Sequence, residues 1–165
     1  MSRYPLENKN KDIFFMEEAL KEAQKAFNDD EVPIGAIITL KNQIIARAHN
    51  QVERLNDSTA HAEILAITQA QIFLNNKWLN GCNLYVTIEP CIMCAGAIIL
   101  ARIEKLFFGS LEPKFGGFYS LVNVNKLKTN HKLKITKGLL QEESSQLIKA
   151  FFKNKRKVKN VQRNH

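Results

Sequence analysis

Residues 84–94 of this 165-residue chain read Leu-Tyr-Val-Thr-Ile-Glu-Pro-Cys-Ile-Met-Cys, and they predict a strand followed at once by a helix. The first four residues form a short, mainly apolar run of the kind that lies buried in a sheet. Pro90 is well tolerated in the first turn of a helix, because the N–H group that proline lacks has no partner there. We therefore expect a buried strand over 84–87 and a helix over 90–101.

Hydrophobic spacing predicts the remaining elements. Apolar residues at three- and four-residue intervals indicate helices, and short isoleucine-rich runs indicate strands. Thr59 or Ser58 is the expected N-cap of the second long helix. Strands that alternate with helices favour a sheet covered on both faces, so we expect an α/β domain with a central sheet of about five strands in three α/β/α layers. The predicted helices are 12–27, 59–73, 90–101 and 139–158, the predicted strands are 36–40, 44–48, 84–87, 105–108 and 133–136, and the predicted loops are 49–59 and 109–117.

Length and composition indicate one domain over residues 1–165. The chain is 45% hydrophobic, which is enough to fill one core. No uninterrupted apolar run reaches the roughly 18 residues that a membrane span requires, and the N-terminal residues lack the apolar centre of a secretory signal. Three cysteines are too few for a disulfide framework and favour a reducing compartment. We expect a cytoplasmic protein that does not enter a membrane.

The charge of the chain favours a polyanionic partner. Lys and Arg number 24 against 16 acidic residues, a net charge of +8. The predicted helix from about residue 139 is basic, and the segment 153–163 carries six basic residues and no acid, so we expect it to fray into a basic tail. Phe151 and Phe152 precede this segment and could stack on bases beside neutralised phosphates. The alternative is that one of these phenylalanines belongs to the core.

Two predicted helix starts carry side chains suited to metal chemistry. Cys91 and Cys94 are three residues apart in a first helical turn, so both sulfurs lie on one face, where the free N–H groups favour thiolates. His61 can supply a third ligand if the two helices lie side by side. Three ligands leave one tetrahedral position open, as in a catalytic zinc site. Glu63 then stands two residues from a ligand, where it can transfer protons.

Each of these residues also has a simpler interpretation. His61, Cys91 and Cys94 could be a satisfied histidine and two inert thiols. A structural zinc would need a fourth ligand, for which Cys82 or His49 is available. The Cys-x-x-Cys spacing alone is also typical of thioredoxin-like redox motifs, but such a motif leaves His61 and Glu63 unexplained. Glu89 is expected only to interact with the positive end of its helix.

The motifs His61-Ala62-Glu63 and Pro90-Cys91-Ile92-Met93-Cys94 resemble those of the cytidine deaminase-like zinc deaminases. Further segments resemble one branch of that family, the bacterial tRNA-specific adenosine deaminases, and the resemblance extends from about Asp12 to Lys157. The segments are Val32-Pro33-Ile34-Gly35-Ala36, His49-Asn50, Thr59-Ala60-His61-Ala62-Glu63, Tyr85-Val86-Thr87-Ile88-Glu89-Pro90-Cys91 and Cys94-Ala95-Gly96-Ala97.

The resemblance implies a cytidine deaminase-like fold and a homodimer with one Zn²⁺ per subunit. It further implies hydrolytic deamination of adenosine to inosine at the wobble position of a tRNA anticodon stem-loop, with Glu63 transferring the protons. By the same resemblance Asn50 and the Ala62 backbone contact the base, while Val32 and Ile88 line the pocket. The 109–117 loop would approach the neighbouring nucleotide; it carries Glu112 and Phe115 where the family usually has an aspartate and a smaller residue.

Two rival functions stay open at this point. The first is deamination of a free base or nucleoside, such as guanine or cytosine, on the same fold. The net charge of +8 and the basic C-terminal helix argue against it, because a small neutral substrate has no use for them. The second is a non-catalytic RNA-binding module whose metal is structural.

Overall fold

A computed structural model describes residues 6–163. It contains five helices and five strands among these residues, together with a short 3₁₀ helix at Val124–Lys126. The helices are α1 (Leu6–Asn28), α2 (Val52–Leu55), α3 (Ala62–Leu74), α4 (Ile92–Leu100) and α5 (Gln141–Arg163), and the strands are β1 (Gly35–Leu40), β2 (Gln43–His49), β3 (Cys82–Ile88), β4 (Lys105–Ser110) and β5 (Lys134–Lys137). No helix among the described residues combines the length and the apolar character needed to cross a membrane.

The five strands form one mixed sheet in the order β2-β1-β3-β4-β5. β1 pairs antiparallel with both β2 and β3, and the first two strands form a hairpin. β3, β4 and β5 pair in parallel, and α4 connects β3 to β4. The predicted α/β architecture is confirmed, and the sheet directs the ends of β3 and β4 to the same edge.

Alternation along the strands assigns one set of side chains to each face of the sheet. Ile38, Leu84 and Phe108 belong to the larger core with α3 and α4. Ile37 and Tyr85 belong to the smaller core with α1, in which the Tyr85 ring stacks on the ring of Phe107. Helices thus cover both faces, as the period of two along each strand requires.

The backbones of α1 and β1 approach each other closely at Gly35. A Cβ atom at this position would lie 2.0 Å from the carbonyl oxygen of Ala19 in α1. Only a residue without a side chain fits there. The contact fixes α1 against the sheet.

The structure corrects several predicted boundaries. α3 begins at Ala62 with His61 as its N-cap, so neither Thr59 nor Ser58 has that role. Pro90 precedes the N-cap Cys91 and lies outside α4. The predicted 49–59 loop contains the short helix α2, and α1 begins at Leu6.

The basic segment 153–163 also differs from the prediction. It continues α5 to Arg163 and does not fray within the described residues. Lysine and arginine are good helix formers, and cationic residues near the C-terminus of a helix are favoured by its dipole. The positive charges are therefore arranged along a regular helix.

Candidate active site

Two helix starts bring the predicted metal ligands together. His61 is the N-cap of α3 and Cys91 is the N-cap of α4, and both have extended backbone conformations with φ of −72° and −66°. Neither side chain makes a capping hydrogen bond to its own helix. Both side chains are therefore available to a ligand.

The three donor groups are close enough to share one ion. Nδ1 of His61 lies 3.6 Å from Sγ of Cys91 and 3.5 Å from Sγ of Cys94. One ligand atom from each residue falls within 4.8 Å of the others. Imidazole nitrogen and thiolate sulfur are the donors that Zn²⁺ prefers, so the residues fit this metal.

The electrostatics of the cysteine pair favour a thiolate at Cys91. A hydrogen bond with the Cys94 thiol and a second contact with His61 lower the pKa of Cys91 to about 4, against the opposing effect of burial. The contact with Cys91 also raises the pKa of His61. The hydrogen bond between the two cysteines, together with burial, raises the pKa of Cys94. Of the two sulfurs, that of Cys91 therefore forms the thiolate more readily.

Glu63 is a buried carboxyl group in the first turn of α3. Its side chain is 2% exposed, and no hydrogen bond from the described residues reaches its Oε2 atom. Burial raises the pKa of Glu63 to about 7. A carboxyl group with a pKa near neutrality can both accept and return a proton. An unpartnered polar atom at this depth indicates a ligand or water that the protein is built to receive.

Asn50 is buried and is held by a second acidic residue. Its Nδ2 atom donates a 3.4 Å hydrogen bond to Oε2 of Glu31, which is itself 1% exposed. The Glu31 carboxylate also accepts the backbone N–H groups of Glu53 and Arg54 at the start of α2. No local pattern indicates this role, because in the sequence Glu31 is only part of the acidic group that ends α1.

The other predicted pocket residues lie at the start of α3, at the end of β3 and before β1. Ala62 is fully buried as the first residue of α3, and Ile88 is 7% exposed at the end of β3. Val32 is half-buried and precedes β1. Their predicted contacts with a base stay predictions.

The two candidates for a fourth metal ligand do not join the donor group. Nδ1 of His49 lies 3.2 Å from Oε2 of Glu22, and Nε2 lies 3.6 Å from Oδ2 of Asp29. Cys82 is buried at the start of β3, at the opposite end of that strand from Cys91. Among residues 6–163 the group contains three ligands, as an open coordination position requires.

The two phenylalanines of α5 have different environments. Phe151 is 5% exposed, and the centre of its ring lies 5.9 Å from that of Phe27 in α1. Phe151 therefore belongs to the core, which was the alternative to the predicted RNA contact. Phe152 is 43% exposed. Only Phe152 can offer its ring to a base, because successive residues of a helix face different directions.

The loop between β4 and the 3₁₀ helix contains Glu112 and Phe115. Glu112 is half-buried, and its carboxylate accepts the backbone N–H of Lys114, whereas Phe115 is 63% exposed. The backbone N–H of Glu112 donates to Glu89, whose carboxylate contacts this loop. Glu89 was expected to interact with the positive end of α4, but in the structure its carboxylate binds this loop. The contact with the loop was missed because its partners lie more than twenty residues away in the chain.

Comparisons with known proteins agree on a deaminase. A family model described as MafB19-like deaminase matches residues 9–156. The tRNA-specific adenosine deaminase of Aquifex aeolicus is 51% identical over 87% of this chain and 95% of its own length. That of Bacillus subtilis is 46% identical over 92% of this chain and 95% of its own length.

Solved structures give the same result. A structure from a study of A-to-I editing by tRNA:A34 deaminases at the wobble position of transfer RNA superposes with a TM-score of 0.79 at 46% identity, covering 81% of this chain and 98% of that one. The guanine deaminase of Bacillus subtilis superposes with a TM-score of 0.58 at 30% identity, covering 71% and 85%. The chain belongs to the family of tRNA-specific adenosine deaminases.

Proposed function

We propose that this chain converts adenosine to inosine at the wobble position of a tRNA anticodon stem-loop. The observation that carries the proposal is the buried, unpartnered Oε2 of Glu63, a residue two positions along the chain from His61 of the donor group. Water adds to C6 of the adenine ring, the C6–N bond breaks, and ammonia leaves.

His61, Cys91 and Cys94 would hold one Zn²⁺ per subunit, and the open fourth position fits a catalytic ion better than a structural one. When bound, the metal supplies Lewis-acid activation of water. The thiolate character of Cys91 matches this donor set, because thiolates are the form that binds metals.

Glu63 takes a proton from the attacking water and delivers a proton to the amine that leaves. Its pKa of about 7 suits both tasks, since an acid–base catalyst works best when its pKa is near the operating pH. Burial also keeps the carboxyl group away from competing solvent protons. Adenosine and water are thus converted to inosine and ammonia with Glu63 returned to its starting state.

Asn50 hydrogen-bonds the target base, and the Ala62 backbone supplies a further contact. Val32 and Ile88 provide the apolar walls of the pocket. The hydrogen bond from Asn50 to Glu31 supports this role, because it fixes the direction of the Asn50 amide group. A fixed amide discriminates between bases better than a rotating one.

The RNA is bound by basic and aromatic side chains around the pocket. The C-terminal half of α5 carries positive charge, and the exposed ring of Phe152 lies at its beginning. The 109–117 loop with Glu112 contacts the nucleotide beside the target. A net charge of +8 fits this substrate, because phosphate neutralisation dominates RNA affinity.

Two copies of the chain form a homodimer through the face of α3 and α4. Leu100 is 79% exposed and Ile92 is 44% exposed on α4. Leu100 also lines a groove of about 320 Å³, together with residues such as Ile64, Ala97 and Trp78. Exposed apolar side chains grouped in this way mark an interface.

We assign the enzyme to the cytoplasm, where its substrate is processed, and treat residues 1–165 as one domain.

The test is inosine formation in an anticodon stem-loop, scored by sequencing as adenosine read as guanosine. Wild-type protein is compared with Glu63→Ala, and free adenosine, guanine and cytosine are control substrates. We expect the wild type to convert only the stem-loop. Glu63→Ala should retain zinc and RNA binding but lose a factor of about 10²–10⁴ in turnover.

The alternatives have distinct outcomes. Conversion of guanine or cytosine in place of the stem-loop would identify a free-base deaminase. A zinc-replete wild type that binds the stem-loop but converts nothing would identify a non-catalytic RNA-binding module. Either result would overturn the proposal.

A further inference from the structure

Glu89 is a buried carboxylate, 1% exposed, that accepts hydrogen bonds from one loop. Its Oε1 atom accepts the backbone N–H groups of Phe118, Tyr119 and Ser120 at 3.2, 2.8 and 2.9 Å. Its Oε2 atom accepts the backbone N–H of Glu112 at 3.1 Å and the hydroxyl of Ser120. Five donors therefore converge on the two oxygens of one side chain.

The loop that supplies these donors, residues 111–121, packs directly on Glu89. A Cβ atom on Gly116 would lie 2.4 Å from the carboxylate carbon, so the loop backbone passes in contact with it. A side chain at position 116 would push the loop away from the carboxylate.

The same loop is bonded to the segment that contains Cys91. Ile92 donates its backbone N–H to the carbonyl of Phe115 at 3.0 Å, and Gly117 donates to the carbonyl of Pro90 at 2.8 Å. Cys91 itself forms an isolated β-bridge with Gly116. Backbone contacts thus hold the 111–121 loop beside a metal ligand.

The outer surface of the 111–121 loop is apolar and aromatic. Phe115 is 63% exposed, Tyr119 is 45% exposed and Leu121 is 52% exposed. The ammonium group of Lys137 lies 4.5 Å from the centre of the Tyr119 ring. Exposed aromatic rings beside a cation are suited to stacking with unpaired bases and to binding phosphate.

We infer that Glu89 is a positioning residue that fixes the 111–121 loop beside the Cys91 end of α4, so that Phe115 and Tyr119 meet the nucleotides next to the target base. The inference rests on the proposed function, since it assigns these nucleotides to an RNA substrate. The Glu89 carboxylate hydrogen-bonds to the loop and not to the substrate, so its effect on the substrate is exerted through the loop.

A carboxylate is required because every backbone partner is a donor. Glutamine at this position has one oxygen, which can keep the three bonds to Phe118, Tyr119 and Ser120. Its NH₂ group would then face the N–H of Glu112, donor against donor, and this hydrogen bond would be broken. Glu89→Gln therefore releases the Glu112 side of the loop while preserving the shape of the side chain.

The experiment compares zinc-loaded wild type, Glu89→Gln and a matched control, Glu18→Gln. Glu18 is also a buried, hydrogen-bonded carboxylate, but it lies on α1 and pairs with Lys21 and Arg47. The readouts are zinc content, hydrogen exchange of peptides from residues 111–121, and KM and kcat on the anticodon stem-loop.

For Glu89→Gln we expect one zinc per chain, faster exchange in the 111–121 loop, a KM raised by roughly tenfold, and a kcat within about threefold of wild type, which is the scale of removing one hydrogen bond to a charged group. The control should keep the wild-type KM and loop exchange. Ser120→Ala, which removes only the hydroxyl donor, should change both readouts in the same direction by less. It also serves as the test if Glu89→Gln does not fold.

Unchanged KM and unchanged loop exchange in Glu89→Gln would overturn the inference. A fall in zinc content or kcat at constant KM would also overturn it, because that is the pattern of a purely structural residue. If the wild type does not convert the stem-loop, but Glu89→Gln still accelerates exchange in the loop, the proposed function fails and the anchoring of the loop by Glu89 stands.

Discussion

The N-cap positions of α3 and α4 are occupied by residues that do not cap. Serine, threonine, aspartate and asparagine are preferred there because their side chains accept an N–H of the first turn, and losing that bond costs about 0.5–2 kcal/mol. His61 and Cys91 make no such bond. Each helix therefore gives up local stability, and each gains a donor atom held at a fixed point of the backbone.

We expect His61→Ala to lose the metal and the activity together, because the two cysteines alone leave the site one short of its three protein ligands. The matched control is His49→Ala, which removes a histidine that contacts Glu22 and Asp29. Zinc content measured by plasma emission should fall to about zero per chain in the first variant and stay at one in the second. Zinc loss in the control would restore His49 as a ligand and contradict the three-ligand site.

At the scale of elements, α5 has a buried anchor followed by an exposed ring. We expect Phe151→Ala to lower the free energy of unfolding by about 3 kcal/mol, since it removes the ring that packs against Phe27. Phe152→Ala should change the free energy of unfolding by less than about 0.5 kcal/mol. Urea denaturation measures both.

The same two variants separate packing from RNA contact. At a temperature where both are folded, Phe152→Ala should weaken stem-loop binding by roughly tenfold, the scale of removing one aromatic ring from a stacked base. Phe151→Ala should bind within about threefold of wild type, because its ring is directed into the core. Equal weakening in both variants would show that α5 acts through its position alone. Fluorescence anisotropy of a labelled stem-loop gives the affinities.

Most elements could be predicted because their pattern is local. The short apolar runs 36–40 and 84–87 predict strands, and the structure confirms them as parts of β1 and β3. The start of α3 was predicted wrongly because Thr59 is a better N-cap by composition than His61. In the structure Thr59 bonds to Asp57 in a turn, and the helix begins after it.

The candidate site also has a part that could be predicted from the sequence and a part that could not. The donor types and the spacing of Cys91 and Cys94 indicate a metal directly, whereas the partners of Glu31 and Glu89 lie about twenty or more residues away in the chain. Contacts between residues so far apart in the chain leave no periodic pattern in the sequence. The roles of these two buried acids therefore became visible only when the fold placed the loops.

At the scale of the whole molecule, positive charge is concentrated in the C-terminal half of α5. We expect Lys153→Gln with Lys157→Gln to weaken stem-loop binding and to make the slope of log K against log salt shallower by about 0.7–0.9 for each phosphate that is no longer neutralised. The two lysines are exposed on one side of α5, four residues apart.

A control with the same change in net charge is available on α1. Lys21→Gln with Lys25→Gln also removes two charges, but these lysines pair with Glu18 and Glu22. Its salt slope should equal that of the wild type. If both double variants shift the slope equally, only total charge matters, and α5 is not a specific RNA contact.

The sheet has two outer strands, and both are protected from extension. At β2 the side chain of Gln69 accepts the N–H of Arg47 at 3.1 Å, so that edge donor is already used. β5 has only four residues and carries a lysine at each end, Lys134 and Lys137. Short, charged edges resist pairing with another chain and so disfavour aggregation. We therefore expect copies of this protein to meet through helix surfaces, and to stay dispersed at high concentration although nearly half of the residues are hydrophobic.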